Sequence, residues 1–122
     1  MFLSLKRPVH EIFDQAPYYM YNVHISMKIS FVWDDNKNRA NIKKHGISFE
    51  EALNIFQNIP LKIFYDSEHS DYEDRYVAIG LSNKGRILIV VHSENENGTE
   101  IRVMSARKAT KKEKQTLFGR LQ

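Results

Sequence analysis

Between residues 75 and 106 the chain offers three apolar runs separated only by turn signals, and this succession restricts its folding more than any other feature. Residues 75–81, 86–93 and 100–106 are rich in the β-branched and aromatic side chains that suit a pleated surface. Asn83-Lys84-Gly85 and Asn97-Gly98 are turn sequences. Connections that short join antiparallel neighbours, because a parallel crossover takes roughly a dozen residues or more. A fourth run at 61–65 precedes them across an acidic stretch. The middle of the chain therefore reads as an antiparallel meander.

Helical signals flank it. Residues 28–33 alternate as a strand, Asp34 or Asp35 caps a helix running to about His45, and Gly46 suits the left-handed residue that ends it. Ser48 and Glu51 form a capping box for a second helix. Phe49, Ala52, Leu53 and Phe56 then follow helical spacing as a core-facing stripe, and Phe31 and Trp33 also read as core. Thr110 and Glu113 make another capping box, opening a helix with Leu117, Phe118 and Leu121 available for packing. This order predicts an α+β fold. Its sheet is mostly antiparallel, of about four to five strands, packed with two N-terminal helices and a terminal helix.

Residues 1–26 stand apart, with two prolines, little regular period before 19–25 and at most one short helix near 9–15. Met27 opens the regular pattern. The expected organisation is an N-terminal extension over 1–26 and one domain over 27–122, since 122 residues suit a single core.

With no cysteine, disulfides, Cys-based zinc sites and a thiol nucleophile are excluded. No apolar run approaches the roughly 18 to 20 residues needed to span a bilayer, and the first residues lack the order of a signal peptide. A cytoplasmic protein without membrane contact is expected, so the sequon Asn97-Gly98-Thr99 reads as a turn. The five histidines, at 10, 24, 45, 69 and 92, show no metal-binding spacing, so neither metal nor cofactor is expected.

A net charge of +3 and a pI near 9.1 are compatible with a nucleic-acid partner without establishing one. The charges are sorted, with five acids and no Lys or Arg over 66–74, and seven Lys or Arg against one acid over 101–122. Arg102, Arg107, Lys108, Lys111 and Lys112 gather where a strand meets a helix start, and arginine forks and free helix N–H groups both suit phosphate. Solvation of an edge strand and a surface helix would use the same residues. Metal-free RNA cleavage needs a base for the ribose 2′-OH, cations around the pentavalent phosphate and an acid for the leaving oxygen.

The candidates for those tasks are scattered. Lys43, Lys44 and His45 sit at a helix C-terminus, whose dipole should raise the histidine pKa or merely be complemented by these cations. Glu73 and Arg75 are two apart and would share a face in an extended chain, as a phosphate clamp beside a base or as a surface ion pair. His92 and Glu94 share a face with Leu88 and Val90 at the rim of the core, in a structural or a catalytic pairing. On the last strand, alternation groups Arg102 with Met104 and Ala106, opposite Ile101, Val103 and Ser105.

Three separated motifs, in order, are similar to one family. Phe31-Val-Trp-Asp34, Lys37, Asn41, Lys44-His45-Gly46, Phe49 and Ala52 resemble the opening of BrnT-type toxins. Arg75, Ile79-Gly80 and the strand through His92 resemble the middle, and Ile101-Arg102-x-x-Ser105-Ala106-Arg107-Lys108-Ala109-Thr110 resembles the end. The resemblance covers about residues 27 to 118 and leaves 1–26 without a role. It implies a RelE-like ribonuclease toxin of a type II toxin–antitoxin system, cutting RNA without a metal and inhibiting translation. It also implies a BrnA-type antitoxin carrying a ribbon-helix-helix region. The two chains would form a heterotetramer that meets operator DNA through the antitoxin.

On that reading Arg75, Arg102 and Arg107 stabilise the phosphate and transition state, and His45, Glu73 and His92 are candidates for proton transfer. Lys44, Lys108 and Lys111 position the substrate. The competing readings are a non-catalytic nucleic-acid-binding or regulatory module, and a degenerate toxin that keeps only antitoxin binding.

Overall fold

The computed structural model describes residues 29–70 and 73–118. The extension expected at 1–26, with its short helix, lies outside the described residues, as does Leu121. Among the described residues the order is β1 (Ser30–Val32), α1 (Asp35–His45), α2 (Phe49–Leu53), a 3-10 turn (Asn54–Gln57), β2 (Leu61–Tyr65), a second 3-10 turn (Ser67–His69), β3 (Arg75–Leu81), β4 (Ile87–Glu94), β5 (Glu100–Lys108) and α3 (Lys111–Phe118). The expected α+β architecture is present. The five strands are ordered β1-β5-β4-β3-β2, and all neighbours are antiparallel except β1, which lies parallel to β5.

The helix boundaries follow from local chemistry. Asp34 is the cap of α1, its Oδ1 accepting the N–H groups of Asn36 (2.8 Å) and Lys37 (3.1 Å). Those bonds hold its carboxyl below the usual range. Gly46 ends the helix at φ 72°, a conformation that costs a side-chain-bearing residue steric strain. Ser48 caps α2 through Glu51 N–H (3.0 Å), but the reciprocal half of that capping box is not made. The Glu51 carboxylate instead takes the Ser82 hydroxyl at 2.8 Å and the Arg86 fork, joining α2 to the β3–β4 turn. The Arg86 fork, with the Ser82 hydroxyl behind it, holds the Glu51 carboxyl below its ordinary value against the opposing effect of burial. The predicted stripe also changes partway, because α2 tightens into a 3-10 turn at Asn54 and Ile55 becomes fully buried while Leu53 is only half-buried.

The helices α1 and α2 cover one face of the sheet. Ile47, Phe49, Ile55 and Phe56 pack there on Ile63, Ala78, Val90 and Val103, with Phe31 and Trp33 at the margin. On the opposite face Phe64, Val77, Ile79, Ile89 and Val91 cluster with Ala109 and with Leu117 of α3. Parallel strand β1 stops pairing at Arg102, which leaves the edge of β5 bare beyond it. Asn41 of α1 takes over as a side-chain surrogate for a strand. Its amide donates to Ala106 O (2.7 Å) and Ile47 O (2.8 Å), and its oxygen accepts Ala106 N–H (3.1 Å).

Candidate functional site

Position on the sheet is set by the pleat, since paired residues of adjacent strands share a face and side chains alternate along each strand. Arg75 of β3 pairs with Ser93 of β4, and Ser93 with Arg102 of β5. The three therefore make a transverse row on the face opposite α1 and α2. Strict alternation would put Arg107 on the other face, five residues beyond Arg102. The register shows why it does not follow. Val91 pairs with Ser105 and His92 with Val103, so Met104 is an additional residue bulged out of β5. Beyond the bulge Ala106 turns into the helix-side core with Ile101 and Val103. This corrects the grouping of Ala106 with Arg102, and it returns Arg107, paired with Ile89, to the face of Arg102.

The row has defined contacts. Arg102 Nη2 lies 3.5 Å from Glu73 Oε2, in an ion pair whose arginine side chain is 55 % exposed. Arg75 donates Nη1–H to Met104 Sδ at 3.3 Å, so the bulged residue supports one arginine of the row. The backbone of Arg75 is held by Ser70 Oγ (3.0 Å) and by Asp66 N–H (2.9 Å). The expected pairing of Glu73 with Arg75 is not formed. Strand β3 begins at Arg75, so Glu73 precedes it and the extended i, i+2 relation does not apply. Glu73 instead reaches across the sheet to Arg102.

A second basic group lies at the other end of the same face. Ile89 and Ser93 are four residues apart on β4, which separates the Arg107 level from the Arg75–Arg102 row by about 13 Å. Arg107 grips Glu113 with both nitrogens, at 2.9 Å and 2.9 Å, and also donates to Lys108 O at 3.2 Å. The predicted Thr110–Glu113 capping box is complete, with Thr110 N–H on Glu113 Oε1 (2.8 Å) and Glu113 N–H on Thr110 Oγ1 (3.1 Å). Burial opposes the charge on Glu113, but the Arg107 fork and the Thr110 N–H outweigh it and hold the carboxyl below its ordinary value. Arg107 thus anchors the start of α3.

His45 borders this second group. Its pKa is lowered by burial first, and then by the charges of Lys44 and Arg107. That corrects the sequence expectation of a raised value, because desolvation and two neighbouring cations outweigh the helix dipole. Neutral imidazole is favoured. Lys44, Lys108 and Lys111 are exposed around the same end of the sheet.

His92 is elsewhere. It is 0 % exposed on the helix side, bonded through Nε2 to Glu94 Oε2 at 2.9 Å and stacked on Tyr76, with Phe56 edge-on. The expected His92–Glu94 pair is formed, but on the face away from the arginines. Sequence reasoning missed Ser93 and Met104. Alternation along 86–93 places Ser93 on its face but gives no partner, and only the pairing register aligns it with two arginines.

Among the described residues no group of three or more His, Asp or Glu is arranged to hold a metal ion. No helix among them is long and apolar enough to cross a membrane. No curated protein matches the chain. The chain is similar to the Brucella abortus ribonuclease toxin BrnT, whose crystal structure was determined at 1.1 Å. The identity is 30%, the match covers 70% of this chain and 100% of that one, and the TM-score is 0.46. The model of the family described as "Ribonuclease toxin, BrnT, of type II toxin-antitoxin system" matches residues 33–113, from Trp33 through the Arg75–Ser93–Arg102 row to Glu113. The chain belongs to that family of BrnT ribonuclease toxins.

Proposed function

We propose that this toxin cuts RNA at the Arg75–Arg102 row, by attack of the ribose 2′-oxygen on the adjacent phosphorus. The carrying observation is that the sheet register brings two arginines to one face with the Glu73 carboxylate 3.5 Å from one of them. The guanidinium groups of Arg75 and Arg102 take the non-bridging oxygens and the charge that grows in the pentavalent state. Glu73 accepts the 2′-hydroxyl proton, the bond to the 5′ oxygen breaks, and that oxygen takes a proton from solvent at the rim. The products are a 2′,3′-cyclic phosphate and a 5′-hydroxyl. Two guanidinium groups supply the charge this chemistry needs, so the reaction runs without a metal.

Lys44, His45, Lys108 and Lys111 hold the flanking phosphates around the far end of the sheet. Arg107 serves by keeping α3 against the sheet, and His92 serves the helix-side core. In the cell the protein inhibits translation in the cytoplasm until a BrnA-type ribbon-helix-helix antitoxin neutralises it in a heterotetramer. Operator DNA is met through that antitoxin.

Induced expression in a bacterium should arrest growth and shorten transcripts, and purified protein should cut RNA in the presence of a chelator. Substituting deoxyribose at the cut site should abolish cleavage. RNA binding without products, from folded protein, would favour the non-catalytic binding module. Absence of both binding and cleavage, with antitoxin binding retained, would mark a degenerate toxin.

A further inference from the structure

Ser93 sits at the centre of the row, paired on one side with Arg75 and on the other with Arg102. The residues before it on this face of β4 are Ile87, Ile89 and Val91, all apolar and packed in the second core cluster. Ser93 is only 5 % exposed, and among the described residues its hydroxyl has no hydrogen-bond partner. The hydroxyl is not among the enclosed side-chain atoms left without a partner, so it lies open to a ligand, and a central strand of a sheet otherwise favours valine or isoleucine. Serine here therefore leaves a donor, unused by the protein, between the two arginines of the row.

The spacing suits one. Adjacent strands lie about 4.8 Å apart, so Arg75 and Arg102 flank Ser93 at roughly equal distances. A small side chain between two long ones leaves a notch, and the long ones can fold over it from both sides. The row already takes an anion, because Arg102 holds the Glu73 carboxylate at 3.5 Å. An RNA phosphodiester likewise presents one negative charge over two non-bridging oxygens, each with more than one lone pair to satisfy.

We infer that Ser93 is a substrate-binding residue. Its hydroxyl donates a hydrogen bond to a non-bridging oxygen of the RNA phosphate held by Arg75 and Arg102. That phosphate takes the place on Arg102 that Glu73 occupies in the free protein, which frees the carboxylate for the 2′-hydroxyl. The inference rests on the reading of Arg75 and Arg102 as phosphate ligands and adds the donor between them.

The test compares Ser93→Ala, Ser93→Thr and Ser93→Val with Arg75→Ala and Arg102→Ala. Cleavage of an RNA oligonucleotide gives kcat/KM. Fluorescence anisotropy with a 2′-deoxy, uncleavable version gives Kd between about 50 and 200 mM salt. Loss of one hydrogen bond to a charged group predicts that Ser93→Ala weakens binding and lowers kcat/KM by about 10- to 100-fold. Ser93→Thr, which keeps the hydroxyl, should stay within about threefold of wild type, and Ser93→Val, of the same shape without it, should match Ser93→Ala. A neutral donor releases no counterion, so the salt slope of Ser93→Ala should equal wild type, whereas Arg102→Ala should flatten it by about 0.7.

Equal activity of the Thr and Val variants overturns the inference whether or not Ser93→Ala folds well, because the hydroxyl then contributes nothing. Wild-type behaviour of Ser93→Ala beside impaired arginine variants also overturns it and leaves the arginine reading standing. Wild-type behaviour of both arginine variants overturns that underlying reading.

Discussion

Replacing Arg107 by alanine should unfold this protein more readily than it impairs its chemistry. The arginine fork contributes two bonds of 2.9 Å to Glu113, a residue only 5 % exposed. Removing one partner of a buried pair typically costs about 3–5 kcal/mol, because the other charge is stranded. Two features reduce that here: the Arg107 side chain is about a third exposed, and Glu113 keeps both of its bonds with Thr110. A loss of ~2–3 kcal/mol follows, which at a urea m-value of ~1.5 kcal/mol/M lowers the midpoint by ~1.5–2 M.

The assay is urea unfolding followed by circular dichroism, with Glu113→Ala and the double variant completing a cycle. The double variant should be less damaged than the sum of the single ones, since neither charge is then left alone. The pH dependence has a definite sign. Glu113 titrates lower in the folded than in the unfolded state, so its contribution is full above its ordinary value of 4.5 and fades as pH falls through the depressed one. The gap between wild type and Arg107→Ala should therefore narrow in acid. If Arg107→Ala unfolds at the wild-type midpoint while cleavage falls about 100-fold, a loss typical of one missing transition-state donor, the anchoring argument is wrong.

Arg102→Ala should behave oppositely: its ion pair is exposed and worth under about 1 kcal/mol, yet cleavage should fall about 100-fold or more, and a merely marginal kinetic loss would misplace the site. His45 titrates lower when folded, so the unfolded chain binds more protons as pH drops through its ordinary value of 6.5, and stability should decline with acidification there. His45→Gln should remove that slope, and an unchanged slope would assign it to another group. Asn41→Ala deletes three buried bonds and bares Ala106, for a cost of about 2–4 kcal/mol in thermal or urea unfolding. Gly80→Ala would place a methyl 2.9 Å from Ile55 Cβ and should cost about 1–3 kcal/mol, whereas a neutral result would show that the 3-10 turn can retreat.

The secondary structure was largely legible because its determinants are local. Asp34, Gly46, Thr110 and Glu113 cap or end helices through contacts within a few residues, and each does so in the structure. Glu51 marks the limit of such reasoning. Its spacing from Ser48 is that of a capping box, yet the carboxylate is drawn to Arg86, 35 residues away, because two charged bonds there exceed one to a backbone N–H. The pKa of His45 failed to follow the helix-dipole rule for a related reason, since burial, the largest cause, is set by tertiary packing, and Arg107 of β5 adds to the repulsion from neighbouring Lys44.

By itself the sequence determined the α+β plan, the meander, the helix ends and which cations were available, because periodicity and capping act over single turns and strands. Only the tertiary structure decided which of those cations meet. The extra residue Met104 rotates the end of β5 by one step of the pleat, and a single step moves a side chain to the opposite face. Strand pairing then aligns Arg75 and Arg102 across Ser93, residues separated by long stretches of chain. It also carries Glu73 to Arg102, commits Arg107 to Glu113 and sends His92 to the far side of the sheet. Alternation along one strand fixes relative faces only while the register is unbroken, and the register depends on the neighbouring strands.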